Sequence, residues 1–181
     1  MKIAAIKKRC LEMGTFAVLR DGQGRCWISN TSACWPTDGM EIGEGNIQAL
    51  FDLKPRKMSK LLIREMVINH EWLCMEPLPW DMNLKMRGHV YDAGDLYVVL
   101  EDDWGFIRLI NAKLLEPAGD ADLRFFLRVD DGGTERIVAF GDLLAPAIVG
   151  AVTSEKAAKI MGTIRALADA PLAVTREKEG V

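Results

Sequence analysis

The sequence aligns with itself at an offset of 81 residues. Phe16 to Gly39 lies over Tyr97 to Asp120 without a gap, and six of the 24 aligned pairs are identical. About one or two identities are expected by chance at one offset, and about four at the best of many offsets. The apolar positions agree as well, so we expect a structural unit that occurs twice. The identical pairs are Val18/Val99, Leu19/Leu100, Asp21/Asp102, Gly24/Gly105, Asn30/Asn111 and Pro36/Pro117.

The repeated segment carries the pattern of a β-hairpin. In each copy two short apolar runs flank a turn, Asp21–Gly24 in the first and Asp102–Gly105 in the second. Glycine supplies the positive φ that a tight turn requires. A short strand before each proline completes the expected meander. The expected strands are Thr15–Arg20, Arg25–Ser29 and about Ala33–Trp35 in the first copy, and Leu96–Glu101, Phe106–Ile110 and Leu114–Leu115 in the second.

Apolar residues spaced three and four apart predict a helix at each end of the chain. The first helix has the apolar stripe Ile3, Ile6, Cys10 and Met13, and it ends at Gly14. The last helix begins at Thr153 or Ser154 and stops before Pro171. Its apolar face is Ala157, Ile160, Met161, Ile164, Leu167 and Ala168, whereas Lys2, Lys8, Arg9 and Glu12 are expected on the exposed side of the first helix.

The middle of the chain contains a short helix, one ambiguous segment and a further hairpin. Asn46 is the expected N-cap of the short helix, which Pro55 ends. The run 60–68 is rich in branched residues, which favours a strand, although its leucines also fit a helix. We expect Ile47, Leu50 and Phe51 to point inward from the short helix. A hairpin of Leu123–Val129 and Glu135–Phe140 and a strand over Leu143–Val149 are expected farther along the chain.

This order of elements predicts an α+β fold. Helices are grouped at the ends of antiparallel runs and do not alternate with strands, which argues against a doubly wound sheet. Prolines 77 and 79 mark an extended crossing segment between the halves. We therefore expect two related subdomains, 1–75 and 76–170, followed by a flexible tail at 171–181.

Composition and charge exclude several classes of protein. The 181 residues are 49% apolar and carry a net charge of -3, which argues against a mainly electrostatic nucleic-acid binder but leaves a local basic face open. The longest apolar run, Leu143–Val149, cannot span a bilayer. The apolar start precedes the basic residues 7–9, the reverse of the order in a signal peptide. A cytoplasmic protein without membrane association is expected.

Neither a metal nor a cofactor is expected. Cysteines at 10, 26, 34 and 74 form no C-x-x-C pair, and there are two histidines in the chain. Cys26 and Cys34 align with Ile107 and Leu115 of the second copy, which favours core packing of these thiols. The glycine-rich segments match neither the Walker pattern nor the dinucleotide fingerprint.

Acidic pairs at the hairpin tips leave an enzyme as one alternative. The acidic clusters Glu101–Asp103 and Asp130–Asp131 could be metal ligands or a carboxylate pair for acid–base chemistry, but aspartate beside glycine is also typical of turns. Turn chemistry is the favoured interpretation. The competing hypothesis is a small enzyme that uses Asp102, Asp103 or His89 in a cleft between the halves.

Clustered cations are the feature that could bind nucleic acid. The run from Lys54 to Arg64 contains no acid over eleven positions. Clustered cations release counterions from phosphates. Basic residues of the two end helices would add to this surface if they share its face; an ordinary solvated face is the alternative. The candidate residues are Lys7, Lys8, Arg9, Lys54, Arg56, Lys57, Lys60, Lys156 and Lys159.

Two of the five tryptophans are candidates for partner binding. Trp27 and Trp35 flank the apolar positions of the first meander, and Trp27 should point away from the face of Cys26 and Ile28. An exposed tryptophan on a sheet can anchor a protein partner or a second copy. Burial in the core is the alternative interpretation.

Two stretches resemble small uncharacterised proteins of prophages and related mobile elements in Gram-positive bacteria. They are Trp27–Gly39 and Gly141–Gly150 with the helix that follows. The paired helix-plus-meander outline is also similar to the repeated units of sliding DNA clamps, although this chain is shorter and has about half their helices. The resemblance implies a non-catalytic accessory protein that binds protein or DNA, with a clamp-like oligomer as its sharpest form. A phage protein that inhibits or recruits a host partner protein through Trp27 and Trp35 is a further alternative.

Overall fold

Ten strands form one continuous sheet in the computed structural model, which describes residues 2–21, 23–37, 39–43, 45–68, 71–119, 122–141 and 147–168. The strands are β1 (Thr15–Arg20), β2 (Cys26–Ser29), β3 (Ala33–Pro36), β4 (Leu62–Val67), β5 (Met82–Asp92), β6 (Asp95–Glu101), β7 (Ile107–Asn111), β8 (Arg124–Val129), β9 (Glu135–Phe140) and β10 (Ala147–Val149). The helices are α1 (Ile3–Met13), α2 (Ile47–Leu50), α3 (Pro55–Met58) and α4 (Ser154–Ala168), with short 3-10 turns at Ala112–Leu114 and Glu116–Ala118.

The strand order is β4-β1-β2-β3-β10-β9-β8-β5-β6-β7, with antiparallel neighbours except for the parallel β1–β4 pair. The expected α+β class is confirmed. β10 lies between β3 and β9, so strands from both sides of the expected 75/76 boundary share one sheet. They also share one core, in which Ile28, Leu100 and Ile137 are fully buried. The expected tail 171–181 and residues 143–146 of the expected last strand lie outside the described residues.

The two copies of the repeat form hairpins in the same register. Ala17 pairs with Ser29 and Arg20 with Cys26, while Val98 pairs with Ile110 and Glu101 with Ile107. Each of these pairs is displaced by the same 81 residues as the sequence alignment. The expectation of a duplicated hairpin is therefore confirmed at the level of strand pairing.

One carboxylate organises the turn of each hairpin. The Oδ1 atom of Asp21 accepts hydrogen bonds from the backbone of Gln23 and Arg25, at 3.0 and 2.9 Å. Asp102 accepts the equivalent bonds from Trp104 and Phe106, at 3.0 and 2.9 Å. These bonds satisfy backbone N–H groups that the tight turn leaves without a ladder partner. The interpretation of both aspartates as turn residues is confirmed.

The hairpin of β8 and β9 uses the same turn, which the sequence alignment missed. Asp130 Oδ1 accepts from the backbone of Thr134 at 2.8 Å, and Gly133 has the positive φ of 76°. Val129 pairs with Glu135, which is the register of the other two hairpins. The pattern Asp-x-x-Gly therefore closes three hairpins of one sheet.

The two copies of the repeated hairpin turn opposite faces toward the central core. Phe16, Val18 and Ile28 belong to the central core beneath α1. Their counterparts Tyr97, Val99 and Leu109 instead pack with Ile160 of α4. Because alternate strand residues lie on opposite faces, α1 and α4 cover opposite sides of the sheet. The repeat thus conserves the shape of the hairpin but not its surroundings.

Several local expectations need correction. Met13 is 51% exposed and Leu50 is 39% exposed, although both were expected inward, because the core is already filled by Ile6, Ile47 and Phe51. Leu114 and Leu115 lie in and beside a 3-10 turn that Asn111 caps, and they form no strand. Pro55 ends no helix but begins α3, where its missing N–H costs nothing. The strand expected over 60–68 is confirmed as β4.

Replacing Gly24 by alanine tests the turn geometry. Gly24 has a φ of 78° and open space around the missing Cβ, so the cost is backbone strain alone. We expect the free energy of unfolding to fall by about 1 to 2 kcal/mol in urea titration. Gly45→Ala is the control, because Gly45 is equally open and shows no positive φ. Equal losses in the two variants would contradict the assigned turn.

The aspartate turns predict sensitivity to acid. Burial alone raises the pKa of Asp102, but bonds from Phe106, Arg108 and Trp104 outweigh it and hold the pKa below its ordinary value. A lowered folded pKa gives stability that is complete above about pH 4 and is lost as the pH falls through the folded pKa. In urea titrations between pH 6 and pH 3, the gap in stability between wild type and Asp102→Asn should shrink. A gap that is constant with pH would contradict this.

Candidate functional site

The first helix and the segment 46–61 form a basic surface. The Nζ atom of Lys7 donates to the backbone oxygen of Asp52 at 3.3 Å, and the rings of Phe16 and Phe51 lie 4.8 Å apart beneath. Residues 2–13 and 46–61 together contain eight cations and two acids. Since the whole chain carries -3, the rest of the chain carries -9. These two segments therefore carry a net positive charge, whereas the rest of the chain carries a net negative charge.

Six of the nine cations predicted to bind nucleic acid belong to this region and reach solvent. Lys7, which contacts Asp52 in the segment after α2, is half-buried, and the others are exposed. Lys54 precedes α3, and Arg56 and Lys57 form its last turn. We use the name basic surface for Lys7, Lys8, Lys54, Arg56, Lys57 and Lys60.

Arg9 does not belong to the basic surface, contrary to expectation. The residue is 3% exposed, and its guanidinium pairs with Glu12 at 2.7 Å and with Glu116 at 3.3 Å. This second pair reaches across to the turn after β7. Arg9 therefore holds α1 against the rest of the fold and has no charge to offer a ligand.

Lys156 and Lys159 lie on α4, on the opposite side of the sheet from α1. The Nζ atom of Lys156 donates to the hydroxyl of Tyr97 at 2.6 Å and lies 5.0 Å from the centre of its ring. Lys159 is exposed. The idea that the basic residues of both end helices share one face is therefore wrong.

Trp27 and Trp35 are both fully buried, so neither can anchor a partner from the surface. Trp27 does point away from Ile28, as expected, but the 72–75 segment covers that face. Trp35 donates its indole N–H to the backbone oxygen of Leu114 at 3.0 Å. The partner-binding role predicted for these two residues is replaced by core packing.

The residues of the alternative enzyme hypothesis do not converge. Asp102 is held by its own turn and by Arg108 at 2.9 Å. Asp103 pairs with Lys85 at 2.7 Å on an open surface, and His89 is exposed on β5. The linings of four cavities among the described residues contain none of the three. This arrangement gives no support to catalysis by these groups.

The cysteines fill the core, as the repeat predicts for Cys26 and Cys34. All four are free, and Cys10, Cys26 and Cys34 are buried. Burial raises the pKa of Cys10 to about 12 and that of Cys34 to about 11, so both stay protonated near neutral pH. Within the described ranges, no group of three His, Cys, Asp or Glu side chains is placed to hold a metal ion.

A cleft that sequence reasoning missed opens between the crossing segment and the β8–β9 turn. Its volume is about 430 Å³, within the range of small-molecule sites. Trp72, Leu78 and Trp80 form one wall, and Val129 with the turn after it forms the other. We call this space the aromatic cleft; its lining also includes Ile68, Glu71, Arg128, Asp130, Asp131, Gly132 and Thr134.

Arg128 fixes the wall of the aromatic cleft. Its Nε and Nη2 atoms donate to the two carboxylate oxygens of Asp81, at 3.0 and 2.7 Å. The remaining N–H groups donate to the backbone oxygens of Cys74 at 2.9 Å and Glu76 at 3.0 Å, with a longer bond to Trp72 at 3.4 Å. A planar guanidinium can satisfy several oxygens at once in this way. One buried side chain therefore ties the crossing segment to β8.

Two sequence features lie at the cleft, but they indicate only a boundary between the two halves of the chain. Trp72 and Trp80 bracket the prolines of the crossing segment, and Arg128 stands where the equivalent hairpin positions hold Leu19 and Leu100. An arginine in a leucine position marks a buried polar partner. That partner, Asp81, is 47 residues away, so the sequence alone does not reveal it.

Removing Arg128 should strongly destabilise the protein. In Arg128→Met the Asp81 carboxylate, which has a side-chain exposure of 0%, loses its charge partner. We expect a loss of about 3 to 5 kcal/mol in urea titration. Arg128→Met combined with Asp81→Asn removes the unpaired charge and should recover part of that loss. A double variant as unstable as the sum of its single variants would contradict a direct ion pair.

No family model, curated protein or solved structure matches this chain. Among the described residues, no helix is long and apolar enough to cross a membrane. The arrangement of residues is therefore the basis for assigning a function.

Proposed function

We propose that this protein is a non-catalytic accessory protein of a mobile element that binds nucleic acid through the basic surface. The observation that carries the proposal is the concentration of charge. Six solvent-reaching cations lie on α1 and the 46–61 segment of a chain whose other parts carry -9. Such a local field attracts phosphates even when the net charge of the protein is negative.

The chemistry of the surface favours contact with the phosphate backbone over reading of bases. Its polar groups are lysines and one arginine, and it includes no aromatic residue on which a base could stack. Helix α3 has four residues, too few to act as a recognition helix in a groove. The expected binding is independent of sequence and depends strongly on salt, with dissociation constants of about 10⁻⁴ to 10⁻⁶ M at physiological salt.

Fluorescence anisotropy with a labelled 30-base-pair duplex tests the proposal. Each lysine or arginine that contacts a phosphate contributes about 0.9 to the slope of log affinity against log salt. The triple variant Lys54→Gln, Arg56→Gln, Lys57→Gln should therefore lower the magnitude of that slope by about 2.7. Affinity at low salt should fall at least about tenfold, to the same extent for two duplexes of unrelated sequence.

A matched variant separates a local site from net charge. The control Lys85→Gln, Lys113→Gln, Lys159→Gln also removes three positive charges, but from positions outside the basic surface. Lys85 and Lys113 are paired there with Asp103 and Asp95. If the control weakens binding as much as the first triple variant, or if wild type does not bind the duplex at 50 mM salt, the proposal fails.

The clamp-like form of the proposal also requires an oligomer that encircles DNA. The basic helices α1 and α4 cover opposite sides of the sheet, so such a ring would have to be lined by α1 to α3 alone. Sedimentation velocity of the wild-type chain decides this point. A monomer that binds duplex in a salt-dependent manner would leave the proposed function intact and remove the ring.

A further inference from the structure

The aromatic cleft has the composition of a site for an organic cation. Its lining carries three carboxylates, those of Glu71, Asp130 and Asp131. The one cation in the lining, Arg128, is 2% exposed and neutralised by Asp81. Asp130 and Asp131 therefore give the lining negative charge, and its apolar residues include the two indoles of Trp72 and Trp80.

The carboxylate of Asp130 keeps its charge near neutral pH. The backbone N–H of Thr134 donates to it at 2.8 Å, and this bond holds the pKa of Asp130 below its ordinary value. Asp131 is the exposed next residue of the turn. Two neighbouring negative groups at the mouth of the cleft favour a ligand of positive charge.

The structure already shows a guanidinium stacked on one of these indoles. The Cζ atom of Arg136 lies 5.3 Å from the centre of the Trp72 ring. Trp72 lines both the aromatic cleft and a smaller neighbouring cavity, whereas Arg136 lines the neighbouring cavity and not the cleft. Arg136 therefore contacts Trp72 from outside the cleft and leaves the cleft itself to another ligand. Guanidinium groups stack on indoles by cation–π attraction.

The cleft is open enough for a side chain to enter from solvent. Trp80 is 56% exposed and Val129 is 39% exposed, so large apolar groups at the rim remain uncovered. The walls, in contrast, are held in place by Arg128 and by the bond from the Leu78 backbone to Asp81 at 2.8 Å. A site with fixed walls pays little ordering entropy on binding.

We infer that the aromatic cleft binds the arginine side chain of a partner polypeptide. The guanidinium lies against Trp72 and Trp80 and faces the carboxylate of Asp131, while the partner backbone runs along the open rim. Arginine fits better than lysine because its planar group stacks on indole and pairs with a carboxylate at the same time. The inference is independent of nucleic-acid binding, which uses another surface.

Titration of two small probes tests the charge requirement. N-acetyl-arginine methylamide carries the guanidinium, and N-acetyl-citrulline methylamide is its neutral isostere. Indole N–H signals in ¹H–¹⁵N NMR spectra of the full chain report binding, with the Trp80 signal identified from a Trp80→Phe spectrum. The arginine probe should shift the Trp80 signal and bind at least about tenfold tighter than the citrulline probe. Equal binding of the two probes would overturn the inference.

The repeated turn supplies a matched pair of control variants. Asp131 and Asp103 are each the second residue of an Asp-x-x-Gly turn, and only Asp131 lines the cleft. Asp131→Asn should weaken the arginine probe at least about threefold, whereas Asp103→Asn should leave it unchanged. Trp80→Ala should abolish the binding, and Trp104→Ala, which removes an indole that is 71% exposed elsewhere, should not. The same loss from both members of either pair would overturn the assignment of the site.

The source of the arginine is tested with ethylguanidinium and a Gly-Gly-Arg-Gly-Gly peptide. Tighter binding of the peptide supports a partner polypeptide whose backbone adds contacts at the rim. Ethylguanidinium that binds as tightly as the peptide would overturn that part of the inference. The Lys54, Arg56, Lys57 triple variant should bind the arginine probe like wild type, so failure of either proposal can be told from failure of the other.

Discussion

The sheet depends on an aspartate carboxylate that closes a hairpin turn, used three times. Asp21, Asp102 and Asp130 each accept a backbone hydrogen bond from the residue four positions later, at 2.8 to 2.9 Å. Each turn fixes the register of its two strands, because the length and type of a turn decide which residues face each other. The register of six of the ten strands is set in this way by contacts local in sequence. When these carboxylates are protonated, they lose the negative charge with which they accept the backbone hydrogen bonds. The stability of the sheet therefore depends on pH.

Long-range ion pairs then place the segments that the local turns leave undetermined. Arg9 joins α1 to the turn after β7 through Glu116, and Arg128 joins β8 to the crossing segment through Asp81. Both guanidiniums are buried, and in each case the charge partner comes from a different part of the chain. Replacing one member of the Arg128–Asp81 pair costs more than the pair contributes, because both side chains are buried and the remaining charge has no partner. This constraint explains why arginines that look like surface residues in sequence lie inside the fold.

Two surfaces of opposite charge result from this architecture. The basic surface lies on α1 and the 46–61 segment, and the aromatic cleft lies where the crossing segment meets the β8–β9 turn. The first is the basis of the proposed nucleic-acid binding, and the second is the basis of the proposed arginine site. Such a division allows a small accessory protein to bind a nucleic acid and a polypeptide without competition between them. It also keeps the net charge of the chain close to neutral, at -3.

Local turn chemistry, side-chain periodicity and the internal repeat are enough to predict the hairpins, the α+β class, the strand β4 and the packing of Cys26 and Cys34. The sequence also marked the cations of the basic surface. Which faces are covered is settled by long-range packing. Arg9, Trp27 and Trp35 are buried, and the second copy of the repeat turns its other face to the central core. Trp72 and Trp80 meet Asp131 in a cleft. The physical reason is that a strand with two apolar faces does not specify which face packs inward. That choice depends on partners far along the chain, such as β10 between β3 and β9, and these partners leave no local pattern in the sequence.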